Sequence, residues 1–190
     1  MSSTPLHLAV ALDGAGWHPA AWREPAARPA ELFSAGYWTD SVQEAECGLL
    51  DFVTIEDSLG LQSLAADTES PDTESLSRRV QGRLDATLIA ARVAPLTDHI
   101  GLVPSTSVTH TEPFHVSKAI ATLDYVSEGR AGWRPQISTR PLEAQHFGRR
   151  TIPVLDPADP GSAGIADLFE EAGDFVEVVR RLWDSWEDDA

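Results

Sequence analysis

Polar residues that can orient a small molecule or transfer a proton follow four short apolar runs of the sequence. These polar segments are residues 13–23, 57–58, 105–115 and 136–138. Their side chains include the carboxylate of Asp57, the hydroxyls of Ser105 and Ser138, and the imidazole of His18. Carboxylates and hydroxyls fix the orientation of a bound ring, and an imidazole can move a proton near neutral pH. These residue types favour a small-molecule site at the ends of strands.

Ordinary structural roles remain open for the same residues. An aspartate such as Asp57 often caps a helix or a turn, and a loop histidine such as His18 often bonds a backbone carbonyl. His110 and His115, in the third polar segment, are further candidates for acid–base chemistry and are open to the same structural explanation.

Three other kinds of site are not favoured by the spacing of the residues. No two of His99, His110 and His115 have the i, i+4 spacing of a helical zinc motif. The glycine pattern that begins at Gly14 resembles a dinucleotide fingerprint, but Pro19 stands where its third glycine belongs. No G-x-S-x-G motif of a serine hydrolase occurs. A metal site, a Rossmann site and a serine nucleophile are therefore not predicted.

The elements that position the polar segments are clearest in residues 98–138. A short apolar run closed by Pro104 predicts a strand that ends there, and Glu112 and Pro113 predict the start of a helix. Gly129 predicts the end of that helix. Apolar residues at spacings of three and four give the helix one apolar face: Val116, Ile120, Leu123 and Val126.

The remaining sequence repeats this strand and helix alternation within one predicted domain, residues 1–190. Because βαβ crossovers are right-handed, the strands are expected to be parallel in an α/β fold. Predicted strands cover residues 6–12, 51–56, 99–104 and 131–138. Predicted helices cover residues 38–47, 84–93, 113–126, 140–147 and 165–182. Long loops are predicted at residues 13–37, 58–80 and 149–164.

Composition narrows the partners and the compartment. Thirty acidic residues against 14 basic residues give a formal charge of -16, which disfavours nucleic acid and anionic lipid as partners. No apolar run approaches the length of a membrane span and no export signal is evident, so a cytoplasmic location is expected. The single cysteine, Cys47, is expected to be a core or half-buried residue of a helix in a reducing compartment.

One segment closely resembles a known family. Residues 112–133, EPFHVSKAIATLDYVSEGRAGW, resemble the pattern EPYxxARxxxSLDxxSxGRxGW of the bacterial luciferase-like flavin monooxygenases. The resemblance is nearest to the branch of nitrilotriacetate, dibenzothiophene-sulfone and long-chain-alkane monooxygenases. That family has a (β/α)₈ TIM barrel, of which the resemblance covers only the first four βα units.

The resemblance also implies chemistry and partners. Members of the family use FMN in its reduced form, FMNH₂, together with O₂ to oxidise a small organic substrate. A separate NAD(P)H-dependent flavin reductase supplies the FMNH₂. The resemblance places cofactor contacts at Asp57, Ser105 and Ser138, and a catalytic role beside the substrate at His18. Two alternatives remain open: an F420-dependent oxidoreductase of the same fold, and a non-catalytic half-barrel that associates with another chain. A half-barrel would leave open strand edges, so the other half of a barrel or a second copy is an expected partner.

Three positions depart from the family pattern. Glu56 stands where the family has Ala before Asp57. The family sequence G-W-N-x-V-T-S is replaced by G-W-R-P-Q-I-S, which puts Arg134 in place of the asparagine. In the last helix, Phe169 aligns with a tyrosine that contacts the cofactor phosphate.

Overall fold

The computed structural model describes residues 5–18, 20–60, 80, 82–152 and 163–187. In this part of the chain, four strands form one sheet in the order in which they occur in the sequence. They are β1 Ala9–Leu12, β2 Phe52–Ile55, β3 Gly101–Ser107 and β4 Arg134–Gln136. β1 is parallel to β2, and β2 is parallel to β3. Consecutive parallel neighbours are what successive βα units of a barrel produce, so the predicted fold class is confirmed.

The helices follow the predicted order, and short 3₁₀ turns precede the first of them and follow the second. The α-helices are α1 Ala35–Cys47, α2 Ala86–Val93, α3 Pro113–Val126, α4 Pro141–Phe147 and α5 Ala163–Asp184. Three-residue 3₁₀ turns lie at Ala21–Arg23, Pro29–Glu31 and Ala94–Leu96.

Local sequence explains where several helices begin and end. The Ser34 hydroxyl accepts a hydrogen bond from the backbone N–H of Tyr37 at 3.3 Å, and the carboxylate of Asp85 accepts one from Leu88 at 2.8 Å. These are N-caps, which satisfy donors that the first helical turn leaves free. α3 begins at Pro113, as predicted, and Gly129 follows its end with a φ of 84°, which favours glycine.

The chain divides by its internal contacts into two compact units. The first unit consists of residues 1–57, 83–105 and 122–134. The second unit consists of residues 58–82, 106–121 and 135–190. The expectation of a single domain over residues 1–190 stays a prediction.

In the first unit, the two faces of the sheet differ. On one face, the side chains of Val53, Ile55 and Leu102 are fully buried, and Val42 of α1 and Val93 of α2 are buried with them. On the other face, alternate residues are exposed or half-buried: Ala9, Ala11, Phe52, Thr54 and Val103. We call this second face the open face. Successive residues of a strand point to opposite faces, which is why burial alternates along β2.

In the second unit, a small apolar cluster forms the core. Ala144, Ile152 and Leu168 are buried together, with Ile137 packed against them. The indole N–H of Trp183 on α5 donates to the backbone oxygen of Ser117 at 2.9 Å. These contacts join α5 to α3 within this unit.

Four sequence-based expectations need correction. β3 does not end at Pro104 but continues to Ser107, because the fixed φ of proline suits extended backbone and removes only one donor. β1 begins at Ala9, and Leu6 is 81% exposed, because β1 is an edge strand with one open face. The predicted fourth strand, residues 131–138, is reduced to β4 and one bridge between Leu102 and Ala131. Cys47 is exposed, since it is the last residue of α1.

Much of the predicted loops 58–80 and 149–164 lies outside the described residues. Among the residues that the structure describes, no helix is long and apolar enough to cross a membrane. The same residues contain no group of three or more His, Cys, Asp or Glu side chains placed to hold a metal ion.

Candidate functional site

A row of polar residues lies at the carboxyl edge of the sheet in the first unit. Leu12 pairs with Ile55, and Ile55 pairs with Pro104, so the next residue of each strand falls in one row. The bridge between Leu102 and Ala131 places a fourth residue at the same level. The row therefore consists of Asp13, Glu56, Ser105 and Arg134. Because side chains alternate along a strand, these four continue the open face.

Glu56 and Arg134 form an ion pair in this row. The Nη1 group of Arg134 donates to the Glu56 carboxylate and also to the Ser105 hydroxyl, at 3.2 Å for the latter. Glu56 is only 6% exposed, whereas the side chain of Arg134 is 44% exposed. A buried carboxylate is costly without a partner, so Glu56 holds the guanidinium in place. The carboxylate end of this pair is buried and its cationic end is open.

A second ion pair connects the ends of β1 and β2. Arg83 donates to the carboxylate of Asp13 through Nη2 and to the backbone oxygen of Asp57 through Nη1, at 3.3 Å for the latter. Both partners of the ion pair are largely buried. Arg83 therefore fixes the two strand ends relative to each other.

Asp57 lies directly after β2 and caps a helix. Its Oδ2 accepts a hydrogen bond at 3.2 Å from the backbone N–H of Ala86, the first residue of α2. A carboxylate at a helix N-terminus is stabilised by free N–H groups and by the helix dipole. This is the capping role that the sequence left open. The predicted cofactor contact of Asp57 stays a prediction.

His18 lies in the loop that follows β1, and it is exposed. Its Nδ1 accepts a hydrogen bond at 3.1 Å from the backbone N–H of Ala20. The loop is attached to β1 because the indole N–H of Trp17 donates to the backbone oxygen of Ala11 at 2.9 Å. The structure brings Ser105 together with Glu56 and Arg134, and within the described residues it gives His18 no contact with that group. The catalytic role of His18 stays a prediction.

Ser138 belongs to the second unit and is buried there. Its backbone N–H donates to the hydroxyl of Thr109 at 2.9 Å. Its own hydroxyl accepts from the backbone N–H of Arg140 at 3.4 Å. Its predicted cofactor contact also stays a prediction.

His110 lies in the second unit beside a cavity of about 340 Å³. It is 5% exposed, and its ring stacks on Phe147 with centroids 5.1 Å apart. Burial lowers the pKa of His110 below its ordinary value; nearby Glu143 and Glu171 oppose this effect, and Arg150 adds to it. The ring is therefore buried and stacked, and among the described residues its Nε2 atom has no hydrogen-bond partner.

Sequence reasoning missed the partners of two residues in the row. The departures at Glu56 and Arg134 are separate in the sequence, and the structure shows that they pair with each other. Their opposite charges are the signal that could have linked them. For Arg83 and Asp13 the sequence offers no such signal, since neither stands out from its surroundings.

The sequence of the chain matches the model of a known protein family over most of its length. The model for luciferase-like monooxygenases matches residues 15–189. The chain belongs to this family.

Among curated relatives, nitrilotriacetate monooxygenase component A of Aminobacter aminovorans is 34% identical over 187 residues. N-acetyl-S-(2-succino)cysteine monooxygenase of Bacillus subtilis (strain 168) is 32% identical over 187 residues. Both alignments cover 97% of this chain, but only 39% and 37% of the two relatives.

Solved structures support the luciferase-like fold. A long-chain alkane monooxygenase superposes with a TM-score of 0.79 at 23% identity, covering 100% of this chain and 42% of its own. A riboflavin lyase with modified FMN and riboflavin superposes with a TM-score of 0.73 at 28% identity, covering 97% of this chain and 40% of its own. The chain thus spans well under half of the luciferase-like proteins that it matches.

The residues of the row fit the needs of a flavin ring. Such a ring requires hydrogen-bond donors and acceptors placed around an otherwise apolar surface. The open face supplies apolar side chains such as Val103, and the row supplies the donors of Arg134. Ser105 is fully buried and accepts from Arg134, so its predicted cofactor contact stays a prediction. Gly132 has no side chain on this face, and a Cβ atom at that position would approach Val103 Cγ2 to 2.7 Å. The donor set is therefore compatible with the cofactor of the luciferase-like family.

Proposed function

We propose that this chain is part of a luciferase-like monooxygenase that uses reduced FMN and O₂ to oxidise a small organic substrate. The observation that carries the proposal is the polar row at the carboxyl edge of a sheet with one open face. Barrel enzymes place their working groups at this edge, whatever chemistry they perform. Family membership identifies the reaction class, and the row supplies residues suited to it.

The residues of the chain would position the flavin ring and the substrate and would exclude water from the site. Asp57 and Ser105 would hold the flavin ring, and Val103 and Phe52 of the open face would keep one side of the site apolar. The bound cofactor supplies the oxygen-activating chemistry. His18 would stand on the substrate side, where an imidazole can donate to or accept from a substrate oxygen.

The partners of the complete enzyme are part of the same proposal. The relative from Aminobacter aminovorans is called component A, which supports an enzyme of more than one component. We infer that a separate NAD(P)H-dependent flavin reductase supplies FMNH₂. The open face requires a further cover, which the other half of the barrel or a second copy of the chain would provide.

A non-catalytic half-barrel is the second candidate, because the chain covers only 39% of its 34%-identical relative. FMN is preferred to F420 as the cofactor, because riboflavin lyase, at 28% identity, contains a modified FMN.

A ligand titration tests the proposed function. The purified 190-residue chain is titrated separately with FMN, reduced FMN and F420, and binding is followed by absorbance and by tryptophan fluorescence. We expect weak binding of FMN and reduced FMN and no turnover by the chain alone. Binding of F420 in preference to FMN, or no flavin binding at millimolar ligand, would contradict the proposal. A monodisperse monomer in light scattering that oxidises substrate would contradict the need for a further cover.

Substitution of His18 tests its proposed role in the active assembly. His18→Ala is expected to lower turnover about 10²–10⁴-fold while changing flavin affinity little, since a positioned acid–base group has that effect. A decrease in turnover of less than about threefold would favour the local loop role seen in the hydrogen bond from Ala20.

A further inference from the structure

One edge of the Arg134 guanidinium has no hydrogen-bond acceptor in the described part of the chain. Both of its hydrogen bonds, to Glu56 and to Ser105, come from Nη1. Among the described residues, none accepts from its Nε or Nη2 group. These two groups form a planar pair of parallel donors, the arrangement that recognises two adjacent acceptors on an anionic group.

The two charged groups of the Glu56–Arg134 ion pair differ in their exposure to solvent. The Glu56 carboxylate is buried, and the guanidinium that it holds is nearly half exposed. A ligand on the open face therefore meets the cation at short range, while the balancing carboxylate lies behind it. Because the carboxylate restrains the guanidinium, less side-chain entropy is lost when a ligand binds.

We infer that Arg134 makes this site selective for the reduced, anionic form of the flavin, with Glu56 as its positioning residue; this inference rests on the proposed function. Reduction gives the pyrimidine portion of the flavin a negative charge at neutral pH, next to a carbonyl oxygen. That edge offers two adjacent acceptors, one of them charged. The oxidised ring offers the same acceptors without the charge, so the charge-assisted contact distinguishes the two forms.

The family pattern gives a matched pair of substitutions. Arg134→Asn alone leaves the buried Glu56 without a partner and can unfold the protein. The double variant Glu56→Ala/Arg134→Asn removes both charges and restores the residues that the family pattern has at these positions. Arg134→Lys keeps the charge but loses the planar donor pair. Arg181→Asn removes an arginine from an exposed ion pair with Glu177 and serves as the control.

The experiment measures the dissociation constants of oxidised FMN and of dithionite-reduced FMN by anaerobic calorimetry with the 190-residue chain. The wild-type chain is expected to bind reduced FMN at least about tenfold more tightly, the effect of one charge-assisted hydrogen bond. The double variant should bind reduced FMN about tenfold less tightly than the wild type, while its affinity for oxidised FMN changes by no more than about twofold. Arg134→Lys should retain part of the preference, and Arg181→Asn should retain all of it.

The outcomes separate this inference from the proposed function. If the wild-type chain binds neither form, the proposed function and the inference both fail. If it binds both forms equally, or if the double variant keeps the wild-type preference, the proposed function stands and the inference fails. A parallel titration with succinate tests whether Arg134 binds the two oxygens of a carboxylate substrate instead of the flavin. Succinate binding that is lost in the double variant, with an unchanged flavin preference, would make Arg134 a contact for a carboxylate substrate and overturn the inference.

Discussion

The two edges of the sheet in the first unit use the same residue types in opposite ways. Arg130 lies at the amino edge and Arg134 at the carboxyl edge, four residues apart. All five N–H groups of Arg130 donate within the protein, at 2.8–3.0 Å. Among the residues that the structure describes, Arg134 donates through Nη1 alone. The difference teaches that the arginine at the amino edge is saturated by internal bonds, whereas the arginine at the carboxyl edge retains donors for a ligand.

The glutamates at the two edges also differ in the kind of hydrogen-bond partner that holds them. At the amino edge, Oε1 of Glu46 accepts three backbone N–H groups, from Asp98, His99 and Ile100, at 2.7–3.0 Å. At the carboxyl edge, Glu56 is held by the side chain of Arg134. Backbone partners are fixed by the fold, while a side-chain partner can be exchanged or shared with a ligand. Barrels in general separate stability and function between these two edges.

The largest effect is expected at Arg130. Arg130→Ala should lower the free energy of unfolding by about 3–5 kcal/mol, because several carbonyl groups lose a charged donor at once. Urea denaturation followed by tryptophan fluorescence measures this change. Arg130→Lys, which keeps the charge but has fewer donors, should fall between the wild type and the alanine variant. A cost below about 1 kcal/mol for Arg130→Ala would show that water replaces the lost donors, and the contrast between the edges would fail.

A smaller effect, dependent on pH, is expected at Glu46. Burial opposes ionisation of this carboxyl, but the N–H groups of His99, Ile100 and Asp98 outweigh it and lower its pKa below the ordinary value of 4.5. A lowered folded-state pKa gives stability that is present above the unfolded pKa and is lost as the pH falls through the folded pKa. Glu46→Gln should therefore cost about 1–2 kcal/mol at neutral pH. The difference should shrink below pH 4.5; a constant difference from neutral to acid pH would contradict the explanation.

Asp57 tests whether one residue at the carboxyl edge serves both fold and ligand. Asp57→Ala should cost about 1 kcal/mol of stability through the lost cap on Ala86. It should also weaken flavin binding by about 0.5–3 kcal/mol through loss of the proposed contact. Asp57→Asn is the control, since an asparagine can still cap the helix. Flavin affinity unchanged in both variants would remove Asp57 from the site.

The smallest effect on stability is expected from the double variant Glu56→Ala/Arg134→Asn. Removal of both charges together avoids an unpaired buried carboxylate, so the free energy of unfolding should change by less than about 1 kcal/mol. Arg134→Asn alone should cost about 1–3 kcal/mol by the same denaturation measurement. A double variant as unstable as the single one would mean that the pair stabilises the fold, and that the carboxyl edge is no different from the amino edge.

The sequence predicted elements better than it predicted side-chain partners. Helix α3 could be predicted from Pro113, Gly129 and a regular apolar face, because local signals determine where a helix begins and ends. Pro104 misled the prediction of β3, because strand length depends on neighbouring strands as well as on local residues. The pairing of Glu56 with Arg134 joins residues 78 positions apart, and a local pattern carries no information on such a contact. For Asp57 the sequence is compatible with a cap and with a ligand contact, and the structure supplies the capping contact to Ala86.

The saturated guanidinium of Arg130 also has a consequence for the order of folding. Its partners at Ala94, Thr97 and Ile100 are only 30–36 residues away along the chain. Closure of a short loop loses less chain entropy than closure of a long one, so these contacts can form before more distant ones. Three of these bonds tie backbone oxygens of Ala94, Thr97 and Ile100, before β3, to the segment that follows α3. We therefore expect amide protons around this turn and in β3 to be among the slowest to exchange with solvent, whether or not the open face is covered.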